Sequence, residues 1–527
     1  MNTHWEAIKR ATAPASGLFY QALDNPIQAQ QYCLNEILQS NANCEVGLHY
    51  DFSSIKNVCE YQDKLAISSY RQIDGTIQRI ANGGNNLLYS EPTIAFEVTS
   101  GSAGASKLIP FTKNSLVYLQ NGIFPWLFDL VSNRNRITAG RTYWSVSPRT
   151  RVKQVTPIGI SVGFDSDADY FGSQLANHIA ALSVGVPASQ HQNDVAIWKI
   201  LTARQLLVTE DLAFVSIWSP TFILELFRFI QQYVEQFIRF VASGRAEGFD
   251  VDVDTNFVAA PERAAVVRDA VSASNIDIQQ LWPGFDTLSC WMDGSAARFV
   301  PQLSQYFTAG QLQAKGLLST EGIMSIPLCD TEDPVLSVTS GFYEFMDSQE
   351  QPRLCHELET GEVYRVVITL PNGLYRYDSG DYVKVTGYYR NTPTFRFVGR
   401  SALTSDICGE KLSDAFVSEK LAAVTGFSLL APSLEPKPHY VLFLDNEHYT
   451  DTTARTVTAT IEKSLCQNSQ YSYARELGQL NALSFALVGN PTEKYIHHEL
   501  AQGKILGDIK PPCLSPELDW AEKLCRH

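Results

Sequence analysis

Pro92 to Leu116 reads Pro-Thr-Ile-Ala-Phe-Glu-Val-Thr-Ser-Gly-Ser-Ala-Gly-Ala-Ser-Lys-Leu-Ile-Pro-Phe-Thr-Lys-Asn-Ser-Leu. Thr93 to Val98 is β-branched or apolar enough for a buried strand. Thr99 to Lys107 then brings small hydroxyl residues, the glycines Gly101 and Gly104, and a closing lysine. Leu108-Ile109-Pro110 follows, and then a polar helix start. Glycine and small residues let backbone N–H groups face an anion. Hydroxyls add neutral donors, and lysine adds a point charge. A strand, such a loop and a following helix make a phosphate cradle. A polar turn has the same composition, so the rest of the chain must decide. The spacing is not the Walker pattern, because Gly101 and Gly104 are three apart and Leu108 follows Lys107.

The surrounding chain is long enough, at 527 residues, for two or three domains and a large core. With 45% hydrophobic and 18% charged residues it has globular rather than disordered composition. A net charge of −15 argues against binding nucleic acid backbones, and requires any ATP site to be locally positive. The start of the chain has no apolar signal region, and no run approaches a membrane span. The cysteines form no Cys-x-x-Cys pair, so reduced thiols and a cytoplasmic setting are expected.

Before the quoted stretch, the spacing predicts helices over 28–39 and over 70–84, the second stopped by Gly83-Gly84. After it, strands are expected at 143–146, 158–162 and 214–218. Helices are expected at 196–207 and, as one long amphipathic element, at 221–242. Residues 244–261 look like a surface connection. Their Asp250-Val251-Asp252-Val253-Asp254 run lacks the glycine and glutamate of a calcium loop. His497-His498-Glu499 lacks metal spacing and reads as an exposed helix face. Two strands run into small polar residues: Leu288 to Met292 into Gly294-Ser295, and Lys315 to Leu318 into Ser319-Thr320-Glu321. Strand ends of a parallel sheet are where ligands bind. Strands of a more antiparallel region follow at 335–345, 361–370, 375–385 and 394–398.

The order of these features resembles the acyl-adenylate-forming superfamily: phosphate loop, Gly-Ser, Ser-Thr-Glu, Tyr-Arg-x-x-x-Gly-Asp, Gly-Arg, and a late lysine. Within it the chain resembles the GH3 family of acyl acid amido synthetases. The segments that carry the likeness are Ile77 to Gly83, Lys107 to Pro110 and Phe342-Tyr343-Glu344-Phe345. Gly373 to Tyr377, Gly380-Asp381, Gly387-Tyr388 and Pro393 to Arg400 continue it, with Gly409 to Leu412 and Leu506 to Pro512 near the end. They run from residue 30 to residue 515, loosely between 115 and 280. Ala103 lacks a hydroxyl frequent in such loops, Ser106 replaces a frequent proline, and Pro512 stands where plant members usually have arginine.

The resemblance implies an α/β fold. A large N-terminal domain, residues 1–400, would combine parallel-sheet α/β subdomains with a smaller β-rich one. A small mobile α+β domain, residues 401–527, would follow. It implies that Thr99, Ser100, Gly101, Ser102, Lys107 and Ser319 bind ATP. Thr320 would donate to the α-phosphate and Glu321 would bind Mg²⁺. Gly294 and Ser295 would pass along the adenine, with Phe342 or Tyr343 on its other face. Asp381 would accept from the ribose hydroxyls, Arg400 would anchor ribose or phosphate, and Lys411 and Lys510 would neutralise developing charge. The implied reaction joins a carboxylic acid to ATP as acyl-AMP, then passes the acyl group to an amine, typically an amino acid. Small-molecule substrates, no nucleic acid, no membrane and a monomer are expected. The alternatives are transfer to a thiol, and a nucleotide-binding relative without catalysis.

Overall fold

The computed structural model describes residues 2–98, 107–144, 154–164, 170–185, 195–251, 253, 257–400, 404–504 and 506–525. Two compact units result, each assembled from separated stretches. Met1–Thr138, Val152–Leu182 and Ala314–Val398 form the first; Ala139–Arg151, Ser183–Gln313 and Gly399–His527 form the second.

The first unit opens with helices Thr3–Ala22 and Pro26–Ser40. The helix expected over 70–84 is Tyr70–Ala81, started by a Ser69–Gln72 capping box and followed by Gly83 at φ 104°. The strand of the quoted stretch is Ala95–Val98. The helix beyond it begins at the polar stretch after Pro110, as expected, but the residues between form a strand that the spacing does not predict. Leu108–Phe111 folds back antiparallel, pairing Val98 with Leu108 and Ala95 with Phe111. Its apolar residues bury better in a ladder than in a first helical turn. Lys113–Asn133 is the helix, and Thr112 caps it: its hydroxyl accepts from Ser115 N at 3.1 Å, and Ser115 Oγ accepts from Thr112 N at 2.7 Å.

The β-rich part of this unit is a seven-stranded sheet. Its order is Pro352–Arg353, Phe342–Met346, Val363–Leu370, Leu374–Tyr389, Thr392–Arg400, Val335–Leu336, Ser325–Ile326. Phe342–Met346 pairs antiparallel with Val363–Leu370, and that strand antiparallel with Leu374–Tyr389. Residues 315–318 are not a ladder strand; the strand there is Leu312–Ala314. Leu318 pairs with Ile323 in an isolated antiparallel bridge, so residues 319–322 form a turn.

In the second unit, Arg141–Trp144, Leu212–Ser216 and Thr287–Cys290 run parallel, with Leu312–Ala314 beside them. The helix Val195–Val208 fits the expected one. The long helix over 221–242 is broken: Pro220–Gln232 and Val234–Ser243 meet at Tyr233, which leaves helical backbone at φ −112°, ψ 32°. Within the connection expected at the surface over 244–261, buried Val253 and partly buried Phe249, Val251 and Phe257 pack against the core around these helices, while Val258 stays exposed. The last part holds the sheet Ser428–Ser433, His439–Asp445, Ser484–Val488. Its alternate residues feed two cores: Leu430, Leu442 and Leu444 on one face, Leu429, Val441 and Phe443 on the other.

Candidate active site

In the first unit, three expected site residues bear on one phenol, Lys107 by contact and Glu321 and Asp381 through their charges. Lys107 Nζ donates to Tyr377 Oη at 3.2 Å and lies 5.8 Å from that ring and 5.5 Å from the Tyr70 ring. Burial pushes the Tyr377 hydroxyl well above the ordinary tyrosine range, and the charges of Glu321 and Asp381 push it further. Residues more than 270 positions apart in the chain thus share one electrostatic environment. Tyr377 itself was not a sequence-derived candidate. Its only signal is its place in Tyr375-Arg376-Tyr377, ahead of Gly380-Asp381.

Each of these groups is held by its local chain. Glu321 stands half-buried on the turn between Leu318 and Ile323. Ser319 closes the turn: its N–H donates to Gly322 O at 2.9 Å, its Oγ donates to the same carbonyl at 3.2 Å, and it accepts from Gly322 N at 3.4 Å. The base of the turn rests on the helix Lys113–Asn133. A side chain at Gly122 would meet Ile323 at 2.8 Å, so only glycine allows that approach. Thr320 is half-buried beside Glu321. Asp381 is buried at 2% exposure in the strand Leu374–Tyr389, and its N–H donates to Ser379 Oγ at 3.2 Å. A small cavity, about 10 Å³ and roomy enough for a water, joins Glu321 to Ser115, Tyr118, Ser340 and Asn372.

Phe342 and Tyr343 require a correction. Their exposures are 1% and 2%, and neither ring offers a face to a nucleotide. Phe342 packs edge-on to Tyr61 at 6.1 Å. The Tyr343 hydroxyl donates to Ile323 O at 2.6 Å and meets Ser340 Oγ at 2.8 Å. Tyr343 therefore braces the base of the Thr320–Glu321 turn. Every residue of the strand Phe342–Met346 is buried, because the sheet is covered on both faces there. Thr99, Ser100, Gly101 and Ser102 lie outside the described residues.

The remaining candidates belong to the second unit. Gly294 sits at φ 56°, at the start of the 3₁₀ helix Gly294–Phe299, with Ser295 half-buried after it. Arg400 ends the strand Thr392–Arg400. Lys411 is exposed with φ 44°, a left-handed conformation that a lysine adopts at a cost. Its neighbour Glu410 holds the turn, accepting from Ile407 N at 2.8 Å and Cys408 N at 2.7 Å. Lys510 places Nζ 5.0 Å from the Trp291 ring and 5.9 Å from the Trp218 ring. Both indoles follow strands of the parallel sheet, and Trp291 N donates to Trp218 O at 3.2 Å. Among the described residues no cluster of three or more His, Cys, Asp or Glu side chains is arranged to hold a metal.

Family models for the GH3 N-terminal, central and C-terminal domains match residues 15–312, 334–400 and 410–519 in turn. The chain belongs to the GH3 family. Relatives span nearly all of it. The indole-3-acetic acid-amido synthetase GH3.4 of Arabidopsis thaliana is 23% identical, covering 93% of this chain and 90% of its own. The jasmonoyl–L-amino acid synthetase JAR6 of Nicotiana attenuata is 24% identical, covering 93% and 91%. Among solved structures, the AtGH3.15 acyl acid amido synthetase in complex with 2,4-DB superposes with a TM-score of 0.84 at 19% identity, over 97% of this chain and 95% of that one. A 2-hydroxyisobutyryl-CoA ligase reaches a TM-score of 0.57 at 9% identity, over 94% and 90%. The mixed α/β fold with its β-rich part is therefore that of the GH3 structures and, more distantly, of that CoA ligase.

Proposed function

We propose that this GH3 protein is an ATP-dependent acyl acid amido synthetase that couples a small carboxylic acid to an amino acid. The observation that carries the proposal is the contact of Lys107 with Tyr377, whose hydroxyl also feels the charges of Glu321 and Asp381. A cation for phosphate, a carboxylate for a phosphate-borne metal and a carboxylate for ribose are what nucleotide binding requires. The GH3 relatives named as amido synthetases support the same assignment.

In the first step an oxygen of the acid attacks the α-phosphorus of ATP. The bond from that phosphorus to the bridging oxygen breaks, and pyrophosphate leaves. In the second step the amine nitrogen attacks the acyl carbon, loses a proton, and AMP departs with the anhydride oxygen. Thr99, Ser100, Gly101, Ser102 and Ser319 are assigned to the ATP phosphates, with Lys107 compensating their charge. Thr320 donates to the α-phosphate, Gly294 and Ser295 accommodate the adenine, and Asp381 accepts from ribose. Arg400 anchors ribose or phosphate, and Lys411 and Lys510 stabilise charge that develops as pyrophosphate leaves. Glu321 suits Mg²⁺, a hard cation that binds one carboxylate together with phosphate oxygens; such an ion would supply charge neutralisation. Residues 1–400 hold ATP and acid, and residues 401–527 act as the mobile part. The cysteines are free thiols, which suits a cytoplasmic setting. Among the described residues no helix is long and apolar enough to cross a membrane.

The test is acid-dependent exchange of labelled pyrophosphate into ATP, across a panel of carboxylic acids. Mass spectrometry of the products, with amino acids and coenzyme A offered together, then identifies the acceptor. Amide as the main product is expected. A thioester would reassign the acceptor. No exchange from protein that binds ATP would favour a non-catalytic relative.

A further inference from the structure

We propose that Arg298 is a positioning residue that holds Lys510 against the Trp291 and Trp218 indoles by gripping the backbone just after it. Its consequence for adenylation rests on the amido synthetase proposal; the placement itself does not.

Arg298 lies in the 3₁₀ helix Gly294–Phe299, seven residues past Trp291, and is 5% exposed. Its Nη2 donates to Pro511 O at 3.0 Å and to Pro512 O at 3.3 Å. Its Nη1 donates to Ser428 O and to Ser428 Oγ, the latter at 2.9 Å. The guanidinium also lies 5.5 Å from the Phe427 ring and 5.1 Å from the Phe299 ring. Among the described residues, its hydrogen-bond partners are backbone carbonyls, one hydroxyl and the Cys513 thiol, with no carboxylate among them.

An arginine used this way reads backbone position. Its planar fork presents donors at fixed angles, which a lysine cannot match. Pro511 has a fixed φ and precedes another proline, which confines its ψ to extended values, so its carbonyl direction is narrowed before the fork reaches it. The segment is tied beyond them as well. Leu430 N donates to Cys513 O at 2.8 Å, Ser515 N donates to Leu430 O at 2.9 Å, and Leu514 N donates to Asp414 Oδ1 at 3.1 Å.

Lys510 is the residue immediately before this anchored run, and its side chain is long, flexible and exposed. Trp291 is buried and Trp218 half-buried, but Lys510 itself is exposed, and a cation–π contact made by an exposed cation is a weak hold on its own. With the next two carbonyls fixed, the point from which the Lys510 side chain starts is fixed, and the indoles stay within reach of its ammonium. Trp291 and Arg298 both follow the strand Thr287–Cys290, so one sheet end supplies the aromatic platform and the backbone grip.

The experiment uses full-length protein labelled with 5-fluorotryptophan, with the fluorine resonances of Trp218 and Trp291 assigned by Trp→Phe variants. Lys510→Met is expected to shift both resonances by removing the cation. Arg298→Lys and Arg298→Met are expected to move them to the Lys510→Met positions. Adding Lys510→Met to Arg298→Lys should then shift nothing further. Unmoved resonances in folded Arg298→Lys would overturn the proposal. So would a Lys510→Met shift that persists in the Arg298→Lys background, or no shift on Lys510→Met at all. Loss of native circular dichroism in Arg298→Lys would also overturn it, by making Arg298 a folding residue.

The activity arm follows pyrophosphate exchange. Arg298→Lys is expected to lower kcat about tenfold with KM for ATP unchanged, and to have no added effect in Lys510→Ala. Multiplying effects would show that Arg298 does not act through Lys510. Absence of exchange in the parent protein bears on the amido synthetase proposal and leaves the resonances to decide the placement.

Discussion

Tyr377 is the residue that Lys107 contacts and that feels the Glu321 and Asp381 charges, and it carries no charge of its own. Its hydroxyl stays protonated at any ordinary pH, because burial and the nearby Glu321 and Asp381 charges disfavour the phenolate. It can therefore accept from Lys107 and hold that ammonium in place without neutralising it. Tyr377→Phe removes the acceptor and keeps the ring beneath the lysine. A hydrogen bond to a charged group is worth about 1.5 kcal/mol, or about tenfold in binding. The expected outcome is a tenfold rise in KM for ATP with folding unchanged, read by pyrophosphate exchange and circular dichroism. Glu321→Ala should cost far more activity, and should move unfolding by less than about 1 kcal/mol, since Glu321 sits on a turn outside the core. Lys107, Glu321 and Asp381 stand out as candidates in the sequence because each closes a recognisable motif. Tyr377 was not, since a tyrosine inside a strand has the same spelling whether it faces a core or a lysine.

The strand Leu374–Tyr389 shows how an element places such residues. Arg376 lies on it with φ 45°, its side chain 7% exposed, paired to Glu344 at 2.9 and 3.0 Å. It also donates to Gln62 O at 3.1 Å and to Leu65 O at 2.6 Å, tying the strand to the end of the helix Val58–Lys64. Tyr377 follows directly, so its position depends on this anchor. Arg376→Met would strand the Glu344 charge where exposure is nil. Breaking a buried pair from one side costs about 3–5 kcal/mol. Urea denaturation should show that loss, and Arg376→Met combined with Glu344→Leu should lose less than the single change. The three long strands Val363–Leu370, Leu374–Tyr389 and Thr392–Arg400 were legible, whereas 335–345, expected as one strand, is two, Val335–Leu336 and Phe342–Met346, at separate places in the sheet. The return strand Leu108–Phe111 was not legible, because four apolar residues ahead of a helix cap fit a strand or a first turn equally well. The break at Tyr233 was hidden for a related reason: apolar spacing continues across it, and only backbone geometry records the interruption.

At the scale of the whole molecule, the described candidates divide between the two units. Lys107, Ser319, Thr320, Glu321 and Asp381 belong to one; Gly294, Ser295, Arg400, Lys411 and Lys510 belong to the other. The linear order of motifs shows that both sets exist but says nothing of this partition, because each unit is built from chain segments far apart. Adenylation and amide formation make different demands on the second set. In adenylation, negative charge builds on the departing pyrophosphate, and a cation there stabilises the transition state more than the ground state. In amide formation the leaving group is AMP and no pyrophosphate is present. Lys510→Ala is therefore expected to lower adenylate formation by about a hundredfold, the scale of losing one such contact. Given chemically made acyl-AMP, the same variant should form amide at a near-normal rate. Equal losses in both half-reactions, from protein with native circular dichroism, would remove the step-specific role. No loss in either would leave Lys510 as a lysine resting on two indoles, and charge compensation would then have to come from Lys411 or Arg400.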